Sequence, residues 1–330
     1  VSSARRAALA LCALSACAPA PPATDSGADA AHADARAESS AVDASEDAPV
    51  ADSATGGPRC VRSARTDGGA PDASACNGAA ALCDRRYDQV AYATTHNAFA
   101  VDAEGFGAPN QSRSLRAQLD DGVRGLMLDA HMDRGRAFLC HGPCAIGRRL
   151  LSDGLCEITK FLDENPAEVV TIIFESYVSA DEIERSFAES GLIERVRPQA
   201  QGAPWPTLRE LVARDQRVVV LTDRDGGARP WYLNVWAHAW ETPFSARTPA
   251  ELDTCATNRG ARGNPLFIFN HFLTNPLASR DLARMVNGNP LLLDRAQRCQ
   301  RESGALPNFV TVDYYDIGEL LSVTRTLNGL

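Results

Sequence analysis

The stretch VVTIIFESY, residues 169–177, decides the fold. It is apolar and largely β-branched through Phe174, then turns polar at Glu175. No alternation marks a solvent face, so it reads as a strand buried on both sides, as in a parallel sheet covered by helices. Helical patterns flank it. CEITKFLDENPAE, residues 156–168, stops at Asn165-Pro166, and SADEIERSFAESG, residues 179–191, opens on an N-cap serine with early acids and ends at a glycine. Working outward, VAYATTH, VRGLMLDAHM, a short RAFLCHG, RVVVLTD, YLNVWAHAW, PLFIFNHF and NFVTVDYYD read as further strands. TLRELVARD, LASRDLARMVNG and the closing IGELLSVTRTLNG read as helices. About eight strands interleaved with helices predict an α/β fold, a distorted TIM-type (β/α)8 barrel in a single domain. No GxGxxG or Walker loop argues for a nucleotide-binding open sheet.

The barrel is expected over residues 59–330, because the first 58 residues have a different composition. Residues 1–16, VSSARRAALALCALSA, pair a basic start with an apolar run too short to span a bilayer. They read as a lipoprotein signal peptide ending in LSAC, which makes Cys17 the expected acylation site. Residues 17–58 are dominated by Ala, Asp, Ser, Pro and Gly, with no Phe, Trp or Tyr. Such a segment cannot bury enough apolar surface to fold, so it reads as a disordered acidic tether averaging about 35 Å in span. His32 lies inside it. The expected location is a cell-envelope lipoprotein, with the outer membrane or cell surface favoured because Ala18, not an aspartate, follows Cys17.

The net charge is −9, with no basic run and no basic–aromatic interleaving, which argues against a nucleic-acid partner. No feature identifies a protein partner. Without Cys12 and Cys17, eight cysteines remain: Cys60, Cys76, Cys83, Cys140, Cys144, Cys156, Cys255 and Cys299. An even set in an exported chain predicts disulfides, among them Cys76–Cys83. CHGPCAIGRRLLSDGLC holds three cysteines, which leaves one of them free to reach elsewhere. There is no CxxC pair to suggest zinc.

Polar residues fall where strands stop. His96 and Asn97 in YATTHNAFA, Asp129 and His131, His141, Glu175, Asp223, Asn270 and His271, and Asp313 all stand near strand ends. In a parallel barrel those ends converge on one face, where active sites form. Asn97 suits a turn because Asn tolerates left-handed backbone, but a turn does not explain His96.

The motifs THNAFA, GVRGLMLDAHMDRGRAFLCHG and NPAEVVTIIFESY resemble the X-domain of phosphatidylinositol-specific phospholipase C, especially its secreted, cysteine-containing branch. The resemblance covers roughly residues 76–330 and thins after Asp223. It implies the distorted barrel already read from the strand pattern. It also implies two acid–base histidines. His96 would take the proton from an inositol hydroxyl that attacks phosphorus, and His141 would protonate the leaving diacylglycerol oxygen, giving a cyclic phosphodiester. Histidine's ordinary pKa near 6.5 suits both roles. Metal-free relatives place an arginine and a lysine where this chain has Asp129 and Glu175, whereas calcium-dependent relatives place carboxylates there and an asparagine after the first histidine. Asn97, Asp129 and Glu175 therefore match a divalent-cation site, for Ca²⁺ or alternatively Mg²⁺. The departure is Met127, which stands where the calcium-dependent pattern has a second glutamate. Arg124, His131, Asn270, His271 and Asp313 complete the candidate substrate-binding set. Arg124 reads more readily as a barrel anchor, His238 as structural, and the four tryptophans as packing.

The expected function is thus phosphodiesterase action on an inositol phospholipid or related phosphodiester at a membrane surface. Two alternatives stand beside it. One is a glycerophosphodiester or sphingomyelin-type diesterase on the same barrel, which typically places a glutamate close to its first histidine, where this chain has Asn97 and Ala98. The other is a binding module without turnover, for which Met127 argues and the paired His96 and His141 argue against.

Overall fold

A computed structural model describes Cys60 and residues 74–330. The expected signal peptide and the whole tether, Cys17 included, lie outside the described residues. The described residues form one compact unit. Its ten strands are β1 (Tyr92–Thr95), β2 (Gly125–Asp133), β3 (Arg136–Leu139), β4 (Arg149–Leu150), β5 (Val170–Ser176), β6 (Val218–Thr222), β7 (Tyr232–Asn234), β8 (Ala239–Glu241), β9 (Leu266–Asn270) and β10 (Phe309–Val312). Eight run parallel in the order β7-β6-β5-β2-β1-β10-β9-β8, curling into a distorted half-barrel whose path ends at β7 and β8.

β5 is buried along its length except at Glu175. It pairs with β2 on one side and β6 on the other, as its uninterrupted apolar run predicts. Each large aliphatic buried this way contributes about 1.5–3 kcal/mol. Helices Leu151–Glu164 and Ala180–Glu189 cover it, the second capped by the Ser179 side chain. The first begins five residues earlier than its sequence pattern suggests. Gly154 lies inside it, and a Cβ there would meet the Leu139 side chain at 2.8 Å, so the glycine permits close helix–strand packing.

The strand count holds, but its membership differs from the sequence reading. RAFLCHG is not a parallel strand: β3 folds back antiparallel on β2, and β4 on β3. Arg134 and Gly135 both have positive φ, the backbone of a tight two-residue hairpin turn. YLNVWAHAW supplies two parallel strands instead of one. Asn234 caps a one-turn helix, Val235–His238, that separates β7 from β8.

Four disulfides brace this unit: Cys60–Cys156, Cys76–Cys83, Cys140–Cys144 and Cys255–Cys299. Cys76–Cys83 is as expected, and Cys156 is the cysteine of its trio that reaches elsewhere. No helix among the described residues is long and apolar enough to cross a membrane.

Candidate active site

The C-terminal ends of the parallel strands gather most of the predicted polar residues. β1 delivers His96, whose backbone N–H donates to Val312 on β10. Asn97 follows in left-handed backbone (φ 44°), which turns the chain over the barrel mouth. Asp129 and Glu175 are register partners on β2 and β5. Asp313 directly follows β10. His141 arrives by a different route, since it does not end a parallel strand. The β2–β3 hairpin returns the chain, Cys140 N–H bonds the Asp129 carbonyl, and His141 thereby lies near the level of Asp129.

Each of the two histidines is held through Nδ1. His96 Nδ1 lies 2.9 Å from Asp313 Oδ1 and its ring stacks on Phe272, with centroids 4.1 Å apart. Asn110 donates to the same Asp313 oxygen at 2.9 Å, while Asp313 Oδ2 is buried without a partner. His141 Nδ1 bonds the Ala108 carbonyl at 2.8 Å. Both Nε2 atoms are thus left for chemistry, and His141 Nε2 lies 3.2 Å from the Asn97 carboxamide.

The two histidines titrate in opposite directions. Burial acts to lower the His96 pKa, but the charge and hydrogen bond of Asp313, with Asp129 and Glu175 behind, lift it above the ordinary value. His141 is lowered, first by burial and then by the His96 charge, against the Ala108 hydrogen bond. In the protein alone His96 therefore holds a proton more readily than His141. Asp129 is pushed well up, chiefly by burial and then by Glu175.

Asn97, Asp129 and Glu175 stand together as an oxygen-rich group. One end of the Asn97 carboxamide lies 3.1 and 3.2 Å from the two Asp129 carboxylate oxygens. With its NH₂ on that side it donates to Asp129 and its oxygen accepts from His141. With its oxygen on that side, an amide oxygen and carboxylates face each other with no proton between, a donor set suited to a hard cation. Tyr177 donates its hydroxyl to Glu175 Oε1. Asp223 stands beside them, accepting from the Ser176 N–H at 2.9 Å, and burial raises its pKa. Met127 lines the same pocket.

The remaining candidates divide. Asn270 lines the pocket and donates to Glu241. His131 stacks on Tyr177 at the mouth, 4.4 Å between centroids. Asp313 acts on His96 and does not face the pocket as a substrate contact. His271 is buried, with Nε2 donating to Val286 and Nδ1 accepting from Arg295. Arg124 precedes β2 at the opposite end of the barrel, paired with Glu168 at 2.6 Å and donating to Leu119 and Val123 carbonyls. Neither belongs to this group, and Arg124 is the anchor its sequence context suggests.

The structure adds residues that sequence reading passes over. Asn110 lies in an irregular loop without a motif, yet it joins Asp313 to Asn97. Glu241 is buried at the end of β8, held by Asn258, Arg259 and Asn270, and Arg259 lies over Trp236 and Phe244 at 4.4 and 4.7 Å. Glu241, Arg259, Asn270, Trp236 and Phe244 form one wall of the pocket. The polar ending of β8 was the available signal, hidden because β7 and β8 read as one strand.

Comparison with known proteins identifies the family and the fold. The sequence pattern of the PI-PLC X domain family matches residues 82–328. A PI-PLC X domain-containing protein 1 from Arthroderma benhamiae is 31% identical over 276 residues, covering 77% of this chain and 90% of the relative. An uncharacterized secreted protein of the same fungus is 28% identical, covering 74% of this chain, and this chain spans only 61% of that relative. A PI-PLC X domain-containing protein from Arabidopsis thaliana is also 28% identical, with 62% of its length matched. Among solved structures, a variant of phosphatidylinositol-specific phospholipase C from Staphylococcus aureus superposes with a TM-score of 0.52 over 74% of this chain and 95% of that one. At 12% identity this is a likeness of fold.

Proposed function

We propose that this chain, which belongs to the PI-PLC X domain family, is a phosphodiesterase that cleaves an inositol phospholipid or a related phosphodiester bearing a neighbouring hydroxyl. The observation behind this reading is that His96 and His141 are both anchored through Nδ1, with His96 lining the pocket and His141 Nε2 lying 3.2 Å from the carboxamide of Asn97, which lines it too. That arrangement suits in-line displacement, which needs a base and an acid on either side of phosphorus. In the proposed reaction His96 Nε2 accepts the hydroxyl proton, and the freed oxygen attacks phosphorus. The bond to the leaving oxygen breaks as His141 Nε2 donates a proton to it. The products are an alcohol and a cyclic phosphodiester. Asp313 stabilises the imidazolium that His96 becomes and fixes its tautomer. A phosphate anion beside His141 would offset the burial that depresses its pKa, favouring the protonated form this step uses.

Asn97, Asp129 and Glu175 are proposed to hold Ca²⁺, with Mg²⁺ as the alternative. A cation there would neutralise carboxylates that otherwise repel the phosphate, by about 4 kcal/mol per pair at 4 Å and an effective dielectric of 20. Exposed apolar side chains lie beyond or at the ends of the strands on this side: Met132 at the end of β2, with Ile146, Tyr177, Phe244 and Leu277 on the connecting segments. They suit shallow contact with a lipid surface. Four disulfides fit an oxidising compartment outside the cytosol. Attachment through an acylated Cys17, with the tether between, is part of the same proposal.

The test is substitution of each histidine. His96→Ala and His141→Ala should each lower cyclic product formation from phosphatidylinositol vesicles by about 10²–10⁴, with circular dichroism unchanged. Near-native turnover in either variant would remove that residue from the mechanism.

A further inference from the structure

Residues 140–144 read Cys-His-Gly-Pro-Cys, and the outer cysteines are joined. His141 therefore lies inside the smallest covalent ring among the described residues. Its cysteines are 4 positions apart, against 7, 44 and 96 for the other three bridges. The stabilisation a disulfide gives by restraining the unfolded chain grows with loop length, so this bridge restrains it least. Its effect is local.

The ring turns the chain sharply just after His141. Gly142 takes left-handed backbone (φ 75°), and Pro143 fixes the next φ. One end is firm: Cys140 is fully buried and bonded to Asp129. The other end has little packing of its own, since Gly142, Pro143, Ala145 and Ile146 are exposed. Beyond Cys144 the chain docks on residues 106–107. Gly107 N–H bonds the Ile146 carbonyl at 2.7 Å, and a Cβ on Gly147 would lie 2.7 Å from Phe106. The neighbouring Ala108 carbonyl accepts the hydrogen bond from His141 Nδ1–H. A covalent bond thus stands where burial would otherwise fix the segment, and the side chain it fixes is the imidazole.

We propose that the Cys140–Cys144 disulfide is a positioning element that holds His141 Nε2 in its working place, so that turnover depends on this bridge. The inference rests on His141 being the proton donor proposed above. Removing the bridge lets residues 141–146 sample other backbone conformations, and the donor then occupies its productive position only part of the time. Such a loss falls on kcat more than on KM, because bound substrate waits for a correctly placed acid.

The test is a double-mutant cycle on the full chain. Cys140→Ser with Cys144→Ser is made with and without His141→Ala, and cyclic product formation from phosphatidylinositol vesicles is measured alongside thermal unfolding. The serine pair should lower kcat by about tenfold or more with KM changed less than about twofold. In the His141→Ala background the same pair should have almost no further effect, because both changes act through one group. The proton resonance of His141 Nδ1 should also broaden in the serine pair while its near-ultraviolet dichroism remains native. Wild-type kcat in the serine pair overturns the proposal, as does an equal loss in both backgrounds or loss of the fold, which would make the bridge a general stability element. Unimpaired turnover in His141→Ala alone overturns instead the donor assignment beneath it.

Discussion

Asp313→Asn removes one negative charge and leaves the shape of the site nearly intact. Asp313 is buried and lies 2.9 Å from His96 Nδ1, whose side chain is 24% exposed. A charge-assisted hydrogen bond of this kind contributes about 1.5–3 kcal/mol. The carboxamide oxygen can still accept from His96 and Asn110, but its NH₂ then takes the place of Oδ2, which has no partner. A buried unsatisfied donor costs about 1–3 kcal/mol. If the amide turns over to avoid this, it presents a donor to two donors and His96 loses its tautomer. Either way the charge that lifts the His96 pKa is gone, and burial, which lowers it, gains weight. The expected result is a kcat lower by about 10²–10⁴, with the His96 titration displaced toward lower pH. The assay is a pH–rate profile paired with histidine nuclear magnetic resonance titration. Unchanged kcat and an unmoved His96 titration would refute the reasoning that Asp313 positions and charges this base.

Three further outcomes follow from particular contacts. His271 is buried with a pKa lowered to about 3, so the folded state resists a proton that the unfolded chain accepts near 6.5. Its contribution to stability is full above about pH 6.5 and falls by about 1.4 kcal/mol per unit toward pH 3; urea midpoints against pH should show this slope reduced in His271→Gln. Arg124→Gln should cost about 1–3 kcal/mol, because it leaves the partly buried Glu168 without its charged partner, while kcat in the folded variant stays native; a large loss of kcat would return Arg124 to the site. Ile146→Ser with Leu277→Ser should weaken binding to phosphatidylinositol vesicles and leave turnover of a soluble monomeric substrate unchanged, as vesicle sedimentation and rate measurements would show.

The sequence displays much of this arrangement because period and position expose it. β5 reads as doubly buried from an unbroken apolar run, and His96, Asp129, Glu175 and Asp313 are visible because polar residues at parallel strand ends share one face. The hairpin that carries His141 is less legible. RAFL reads like any short apolar strand, and its direction depends on the positive φ of Arg134 and Gly135. The break between β7 and β8 depends on one Asn234 cap inside an apolar stretch. Asn110 and Arg259 come from loops, where proximity is set by the tertiary fold and leaves no periodic trace. His271 shows the opposite error: it also follows a strand, but its neighbours Val286 and Arg295, distant in sequence, turn it into the core.

The central claim is cation-assisted acid–base transfer that closes a ring on phosphorus. It is tested most directly by following phosphatidylinositol vesicles with phosphorus nuclear magnetic resonance as the chain acts in EDTA and then in added Ca²⁺ or Mg²⁺. The account predicts silence in EDTA, restored turnover with a divalent cation, and a cyclic phosphodiester as the first product, with Asp129→Asn needing more cation to reach the same rate. Full activity in EDTA, or a linear phosphomonoester formed with no cyclic precursor, would contradict it.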